Sequence, residues 1–465
     1  MANEESMAGT NGSGETAAAD GVAKNVIFML PDGFSTAQAD AYRYFKAGSE
    51  APVWEDHLTG MVKTSSSDNL VTDSAASATA YATGEKTYNG AIAVDPDGRA
   101  LDSVLDIASD AGKATGIVST AAITDASPAA FGASTVDRGN QDDIAAQYTS
   151  NGDLDVILGG GRAQFLPEDD GGAREDGIDL VDQAGRQGFD TVTTADELEA
   201  ATGDRLLGLF TDADMSAPIG NGAPGERPDG EPTLAEMTEA TLDRLSQDGD
   251  GFFAVIEEEG TDTWGHANDA ATVMNSAQSF DDAWSLALDF AERNPGTLIV
   301  SVADHETGGM TTLFSDEANP EVFQTYRATY EDMLTEAFRR VDVDGHTPGD
   351  AGSFAVVRDT IGGYTGGAVT LDDETIASIF EAPDEETAYA TLAEVLNAAG
   401  GVNYSTTGHS AVDVPIYAYG TGAEHFEGLL DNTDVGIQLA AAMGLDLPEG
   451  QGDTMTTGSD DMLLA

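Results

Sequence analysis

The stretch Val71 to Ala80, VTDSAASATA, sets an acid (Asp73) and a serine (Ser74) ahead of a run of small residues. Such a run reads as a closely packed helix with Ser74 at its mouth. A hydroxyl there faces unpaired backbone N–H groups and the positive end of the helix dipole. That is a place to attack a phosphate and then hold it. Ser and Asp are also common helix caps, so capping alone would account for Ser74. Other residues add weight to chemistry. Asp32 follows the apolar run NVIFML, Glu257 follows GFFAVI, and Asp304-His305 follows TLIVSV. Asp262 and His266 stand four apart in EGTDTWGHAND, a spacing that puts both on one face of a helical turn and lets them grip one metal ion. Of the chain's six His, His266, His305 and His409 lie near acids or Gly/Ser/Thr turns. Each residue alone fits a cap, a turn or a structural histidine. Together they resemble hydrolytic metal chemistry. Nitrogen and oxygen donors without sulfur suit zinc at a catalytic site, and magnesium where all donors are oxygen.

These side chains need a scaffold that brings them to one edge. Short apolar, β-branched runs predict strands at Asn25 to Leu30, Thr115 to Thr120, Asp155 to Leu158, Gly251 to Ile256, Thr297 to Val302 and Val414 to Tyr419. Helical patterns fit between them. Leu234, Met237, Leu242 and Leu245 share one face, as do Phe280, Trp284, Ala287 and Leu288. The prediction is an α/β fold, a large and mostly parallel central sheet with helices on both faces. Ligands of such sheets bind outside the carboxyl ends of the strands, which is where Asp32, Glu257 and Asp304-His305 would converge. Gln164 to Gly177, Thr211 to Glu231 and Glu317 to Gly401 read as insertions. The last has a helical pattern at Tyr330 to Val341 and a Gly-rich turn at Gly362-Gly363. Asp342, Asp344 and Asp350 lack the spacing of a calcium loop and read as a solvated turn. A single domain is expected over 23–447, with a disordered lead at 1–22 and a flexible acidic tail at 448–465.

The 465 residues carry 84 acids against 19 bases, of which five are Lys, for a net charge of −65. A Debye length of about 3 Å at 1 M salt would silence that self-repulsion, so the composition predicts a protein of concentrated salt. The charge argues against a nucleic-acid-binding surface and against an anionic membrane as partner. No stretch approaches the roughly 20 apolar residues of a membrane span. The absence of Cys excludes disulfides, thiolate metal sites and cysteine catalysis. No basic and apolar leader opens the sequence, so it reads as cytosolic or as a mature form.

At this point the motifs carry a resemblance. NVIFMLPDG at Asn25 to Gly33, VTDSAASATAYATGEKTYNGAI, DASPAA at Asp125 to Ala130, DVILGGG at Asp155 to Gly161, VADHETGG at Val302 to Gly309 and TTGHS at Thr406 to Ser410 resemble alkaline phosphatases, in that family's order. The resemblance implies phosphate monoester hydrolysis through a phosphoserine at Ser74. It implies one zinc site at Asp32, Asp304 and His305 beside Ser74, and a second at Asp262, His266 and His409. A magnesium site is implied at Asp32, Ser127 and Glu257, with Asp32 bridging. Arg138, eleven residues beyond Ser127, corresponds to the phosphate-binding arginine. A homodimer, a secreted or periplasmic location and a crown-type insertion at 317–401 are further implications. Three departures stand out. Ser127 replaces a common Thr, Glu258 and Glu259 replace small residues, and Thr263 sits where relatives tune phosphate through water. Rival readings are a phosphodiesterase or sulfatase of the same superfamily, or an acidic cation-binding structural protein. The phosphodiesterases usually use Thr and lack the DSAAS flank. Ser127-Pro128-Ala129-Ala130-Phe131 is not a sulfatase motif, and an acidic structural protein leaves the ordered ligand set unexplained.

Overall fold

Asn25–Pro31 is buried along its whole length, so the run of apolar residues there can only be a strand covered on both faces. The computed structural model describes residues 21–46, 51–220, 225–228, 230–312 and 318–448. The expected lead and tail therefore lie almost wholly outside the described residues. In chain order the strands are β1 (Asn25–Pro31), β2 (Leu58–Lys63), β3 (Ala114–Ala122), β4 (Val156–Gly160), β5 (Phe189–Val192), β6 (Arg205–Leu209), β7 (Phe252–Glu258) and β8 (Thr297–Val302). They continue as β9 (Glu306–Thr307), β10 (Thr311–Thr312), β11 (Val402–Asn403), β12 (His409–Ser410), β13 (Val414–Gly420) and β14 (Gly428–Asp431). Ten of them form one sheet in the order β14-β2-β13-β8-β1-β7-β3-β4-β6-β5. All neighbours are parallel except β13, which runs against both β2 and β8. The expected mostly parallel α/β sheet is therefore the observed one.

Adjacent residues of β7 show the two covered faces directly. Phe252 packs edge-on against Phe290 of the helix Ala270–Arg293, while Phe253 meets Phe131 of the helix Ala126–Gly132. Side chains alternate across a strand, so these two helices lie on opposite faces. The centre of the sheet is what places the chemistry. Leu30 of β1 pairs with Glu257 of β7, and Ser119 of β3 pairs with that same Glu257. β1 also pairs in parallel with β8, so Asp32 and Asp304 emerge at the same edge.

Four strands of this sheet escape the sequence pattern, β2, β5, β6 and β14, as do the two-residue strands β9 to β12 outside it. β2 and β14 are short and half-exposed and carry no continuous apolar run. Within the helical block at 318–401, Gly362 and Gly363 are not a turn. They sit in the last turn of the helix Ala351–Tyr364, and the chain reverses at Gly366 and Gly367, whose φ values of +62° and +81° are left-handed. Asp350 caps that helix by accepting from the Ser353 N–H, and Asp344 ends the helix Tyr330–Val343. These acids thus belong to helix ends, in keeping with a turn rather than a cation loop.

Candidate active site

The helix Ser74–Thr83 begins one residue earlier than capping by Ser74 would place it. Asp73 is the N-cap, accepting from the Ala76 N–H at 3.0 Å, so Ser74 opens the first turn and its hydroxyl is free of capping. The helix is fixed to the end of β8. Ser77 Oγ donates to the Asp304 carbonyl at 2.7 Å, and the Tyr81 hydroxyl donates to the Ala303 carbonyl at 2.6 Å. Because the helix is anchored to the residues that carry Asp304 and His305, Ser74 Oγ comes within 3.1 Å of His305 Nε2. His305 Nε2 lies 2.9 Å from Asp304 Oδ2 and 3.7 Å from Asp32 Oδ1. The Asp304 carboxylate is oriented by the Gly33 and His305 N–H groups, both at 3.0 Å from Oδ1. Gly33 has φ +66°, and a Cβ there would stand 2.7 Å from Asp262 Oδ1, so only glycine lets β1 pass this close to the next group.

Asp262 and His266 do share a face of a helical turn, Gly260–His266, and His409 joins them from β12. β12 pairs with β9, opposing His409 to Thr307. His266 Nδ1 lies 2.6 Å from the Thr407 carbonyl and His409 Nδ1 lies 2.9 Å from the Thr72 carbonyl. A carbonyl only accepts, so both Nδ1 atoms carry hydrogen. The two Nε2 atoms then face each other at 3.1 Å, and lie 3.3 Å and 3.7 Å from the Asp262 carboxylate oxygens. Lone pairs converging on a carboxylate need a proton or a cation between them, which is the donor set of a bound metal. With no metal present, the hydrogen bond to Asp262 pushes the His266 pKa up to about 9. His409 goes the other way, lowered by burial and by His305. Thr307 ties the two groups together, donating to Asp262 Oδ1 and lying 3.2 Å from His305 Nδ1.

On the far side of Asp32, Ser127 Oγ donates to Asp32 Oδ2 at 3.0 Å and Ser119 Oγ donates to Glu257 Oε2. Burial pushes the Asp32 and Glu257 carboxyls well above the ordinary range, and Asp304 adds to the effect on Asp32. Asp32 Oδ1 and Glu257 Oε1 are sealed from solvent without a hydrogen-bond partner, and buried Asp304 Oδ2 meets only His305 Nε2. Buried carboxylate oxygens left open in this way fit a cation. Three groups of ligand atoms lie close enough to hold one: Asp32, Asp304 and His305; Asp262, His266 and His409; and Asp32, Glu257 and Glu259. Glu259 is absent from the sequence-based ligand set, and its place two residues beyond Glu257 was the available signal.

Arg138 lies apart from these groups but next to the helix that Ser74 opens. Its guanidinium is 3.0 Å from Asp125 and 3.5 Å from Asp73, and its backbone N–H donates to the Gly90 carbonyl. Burial works against its charge, yet Asp125 and Asp73 outweigh it and raise the pKa. Asp125 and Asp73, neither of which had a predicted role toward Arg138, thus orient the arginine. The Thr263 hydroxyl donates to Glu259 Oε1 at 3.0 Å.

The alkaline phosphatase family model matches residues 23–445. The chain belongs to the alkaline phosphatase family. Alkaline phosphatase 4 of Bacillus subtilis is 33% identical over 425 residues, covering 88% of this chain and 87% of its own. The repressible alkaline phosphatase of Saccharomyces cerevisiae is 34% identical over 473 residues, covering 92% and 82%. Among solved structures, the cold-active alkaline phosphatase of a psychrophilic Shewanella superposes with a TM-score of 0.78 at 31% identity, over 90% of this chain and 99% of that one. The Thermus thermophilus alkaline phosphatase gives 0.79 at 29% identity, over 92% and 93%. As an alkaline phosphatase the protein is a metal-dependent phosphomonoester hydrolase. Among the described residues no helix is long and apolar enough to cross a membrane.

Proposed function

We propose that this alkaline phosphatase hydrolyses phosphate monoesters through a phosphoserine at Ser74, with two zinc ions and one magnesium ion. The placement of Ser74 carries the reading: its hydroxyl opens a helix and stands 3.1 Å from His305 Nε2, beside Asp304 and Asp32. Asp32, Asp304 and His305 would hold one zinc ion, and Asp262, His266 and His409 the other. Asp32, Ser127 and Glu257 would hold magnesium. When bound, such ions favour the serine alkoxide, stabilise the departing oxygen and supply hydroxide for the second displacement. The protein's own groups do the rest. The N-terminal N–H groups of the helix Ser74–Thr83 receive the phosphate's negative charge. Arg138, pinned by Asp125 and Asp73, binds two phosphoryl oxygens with its planar fork. Ser74 Oγ attacks phosphorus, the P–O bond to the leaving alcohol breaks, and the phosphate passes to Ser74 until water releases it. Since contacts fall on the phosphoryl group, the leaving alcohol is weakly selected.

The test compares a phosphate monoester, a phosphate diester and a sulfate monoester with the wild-type protein and with Ser74→Ala. The monoester is expected to be strongly preferred and its hydrolysis to vanish in Ser74→Ala. Undiminished hydrolysis by that variant would sink the phosphoserine. Elemental analysis of the purified protein should count two zinc and one magnesium per chain.

Three features of context belong to the same reading. The charge of −65 supports adaptation to high salt, checked by a melting temperature that rises in molar NaCl. Family habit supports a homodimer, which a monomeric sedimentation profile at micromolar concentration would contradict, and a secreted or periplasmic location, checked by fractionation of the source cells. The domain over 23–447, with 317–401 as a crown-type insertion, is supported by the sheet's continuity across that block, and deletion of its outer helices should leave a folded protein.

A further inference from the structure

Three acids in succession close β7, and a cationic side chain answers one of them. A strand sends successive side chains to opposite faces. Glu257 faces Asp32, whereas Glu258 faces away and meets Arg227, whose Nη2 lies 3.5 Å from Glu258 Oε1 with both side chains sealed from solvent. Glu259, one residue past the strand, returns to the Glu257 side. Ligand oxygens of Asp32, Glu257 and Glu259 all lie within 4.8 Å of one another. Glu259 Oε1 accepts from Thr263, and Glu259 Oε2 is buried with no hydrogen-bond partner, as are Asp32 Oδ1 and Glu257 Oε1. Asp32 is 1% exposed and Glu257 0%. Among the described residues no Lys or Arg forms an ion pair with any of the three. Asp32 and Glu257 are sealed from water and Glu259 is half-buried, and three carboxylates gathered with no cationic neighbour but the His305 imidazole, 3.7 Å from Asp32 Oδ1, disfavour one another strongly. A hard divalent cation, which takes oxygen donors, answers that arrangement.

We propose that Glu259 is a direct ligand of the cation held between Asp32 and Glu257, contributing a third carboxylate to that site. The proposal rests on the metal-bearing reading of the site given above. The third carboxylate takes a position that water would otherwise fill and raises the site's negative charge, which strengthens binding of a magnesium-like ion. Thr263 orients the Glu259 carboxylate. The Glu258–Arg227 pair fixes the alternation that delivers Glu257 and Glu259 to the same side.

The experiment titrates Mg2+ calorimetrically into zinc-loaded protein, comparing wild type with Glu259→Gln and Glu259→Asp. Magnesium per chain is counted after gel filtration, and the Mg2+-induced rise in melting temperature is measured alongside. Expected are one tightly held magnesium ion in the wild type, binding at least about ten-fold weaker in Glu259→Gln, and a smaller loss in Glu259→Asp. The melting-temperature gain should shrink in the same order, since ligand stabilisation follows the ratio of free ligand to Kd. Equal Mg2+ affinity in wild type and Glu259→Gln overturns the proposal, as does a wild type that binds no Mg2+. If Glu259→Gln fails to fold, an unchanged affinity in Glu259→Asp overturns it and a weakened one supports it. These readouts need no turnover, so a failure of the hydrolytic reading, seen as monoester hydrolysis surviving in Ser74→Ala, stays distinguishable from a failure of this one.

Discussion

The acids at the carboxyl edge of the sheet and the acids of the 318–401 block are the same chemical groups under opposite conditions. In the block, Asp350, Asp372 and Asp384 are exposed and cap helices, accepting backbone N–H groups of Ser353, Thr375 and Thr387 at 2.7 to 2.8 Å. Those bonds hold the Asp350 and Asp372 pKa values below the ordinary range, and at Asp384 the Thr387 hydroxyl does so first and the backbone N–H second. At the sheet edge, burial drives Asp32, Glu257 and Glu259 the other way, and each keeps an oxygen without a partner. A capping acid is complete as it stands. An edge acid is complete only with a cation, so a large total of acids says little about how many bind metal.

That contrast can be broken or sharpened by substitution and by stripping the metals. The largest effect is expected from Ser74→Ala, about 10³-fold or more in kcat for a monoester, measured by release of the alcohol. Arg138→Ala follows, with a loss of about 10- to 100-fold in kcat/KM, the range for a hydrogen-bonded charge worth ~1.5–3 kcal/mol. Arg138→Lys should recover little of it, because the ammonium lacks the planar fork.

Removal of the metals tests the histidines. A His266 pKa of about 9 exceeds the ordinary value of 6.5, so in metal-free protein its contribution to stability is full below pH 6.5 and is lost as the pH rises through about 9. At pH 7.5 a metal ion bound through His266 would therefore displace that proton. Titration of zinc in buffers of different ionisation enthalpy should show proton release, and release that is unchanged in His266→Ala would contradict the assignment. The smallest effect is expected on the other side of the comparison. Asp384→Ala should cost about 1 kcal/mol in denaturant unfolding and leave kcat unchanged. A loss of activity there would mean that the two classes of acid are not separate.

The central strands were legible because burial on both faces demands continuous apolar runs, and β1, β7 and β8 have them. Their ends then point to Asp32, Glu257 and Asp304-His305 without further help. β2 and β14 were hidden because half-exposed strands carry mixed sequence. The exchange of Asp73 for Ser74 as N-cap is a one-residue shift that composition cannot decide, since both types cap well. It matters because it leaves the serine hydroxyl uncommitted. The run of three acids drew attention to Glu259 without making it a ligand, and the linking hydroxyls of Ser119 and Thr307 gave no signal at all. Their importance comes from neighbours distant in sequence, Asp32 for Glu259 and Glu257 and Asp262 for the hydroxyls.

Between His305 and His409 the chain leaves the sheet and comes back through two small ribbons. β9 pairs with β12, and β10 pairs with β11, opposing Thr311 to Asn403. His409 is thus registered against Thr307 by a clasp at the neck of the helical block rather than by the length of the block itself. Changes to the outer helices around Asp344 to Asp384 therefore leave the aim of His409 alone. An engineer can use the same insulation, opening the chain at the exposed turn near Gly345 to graft a binding module onto an undisturbed catalytic edge.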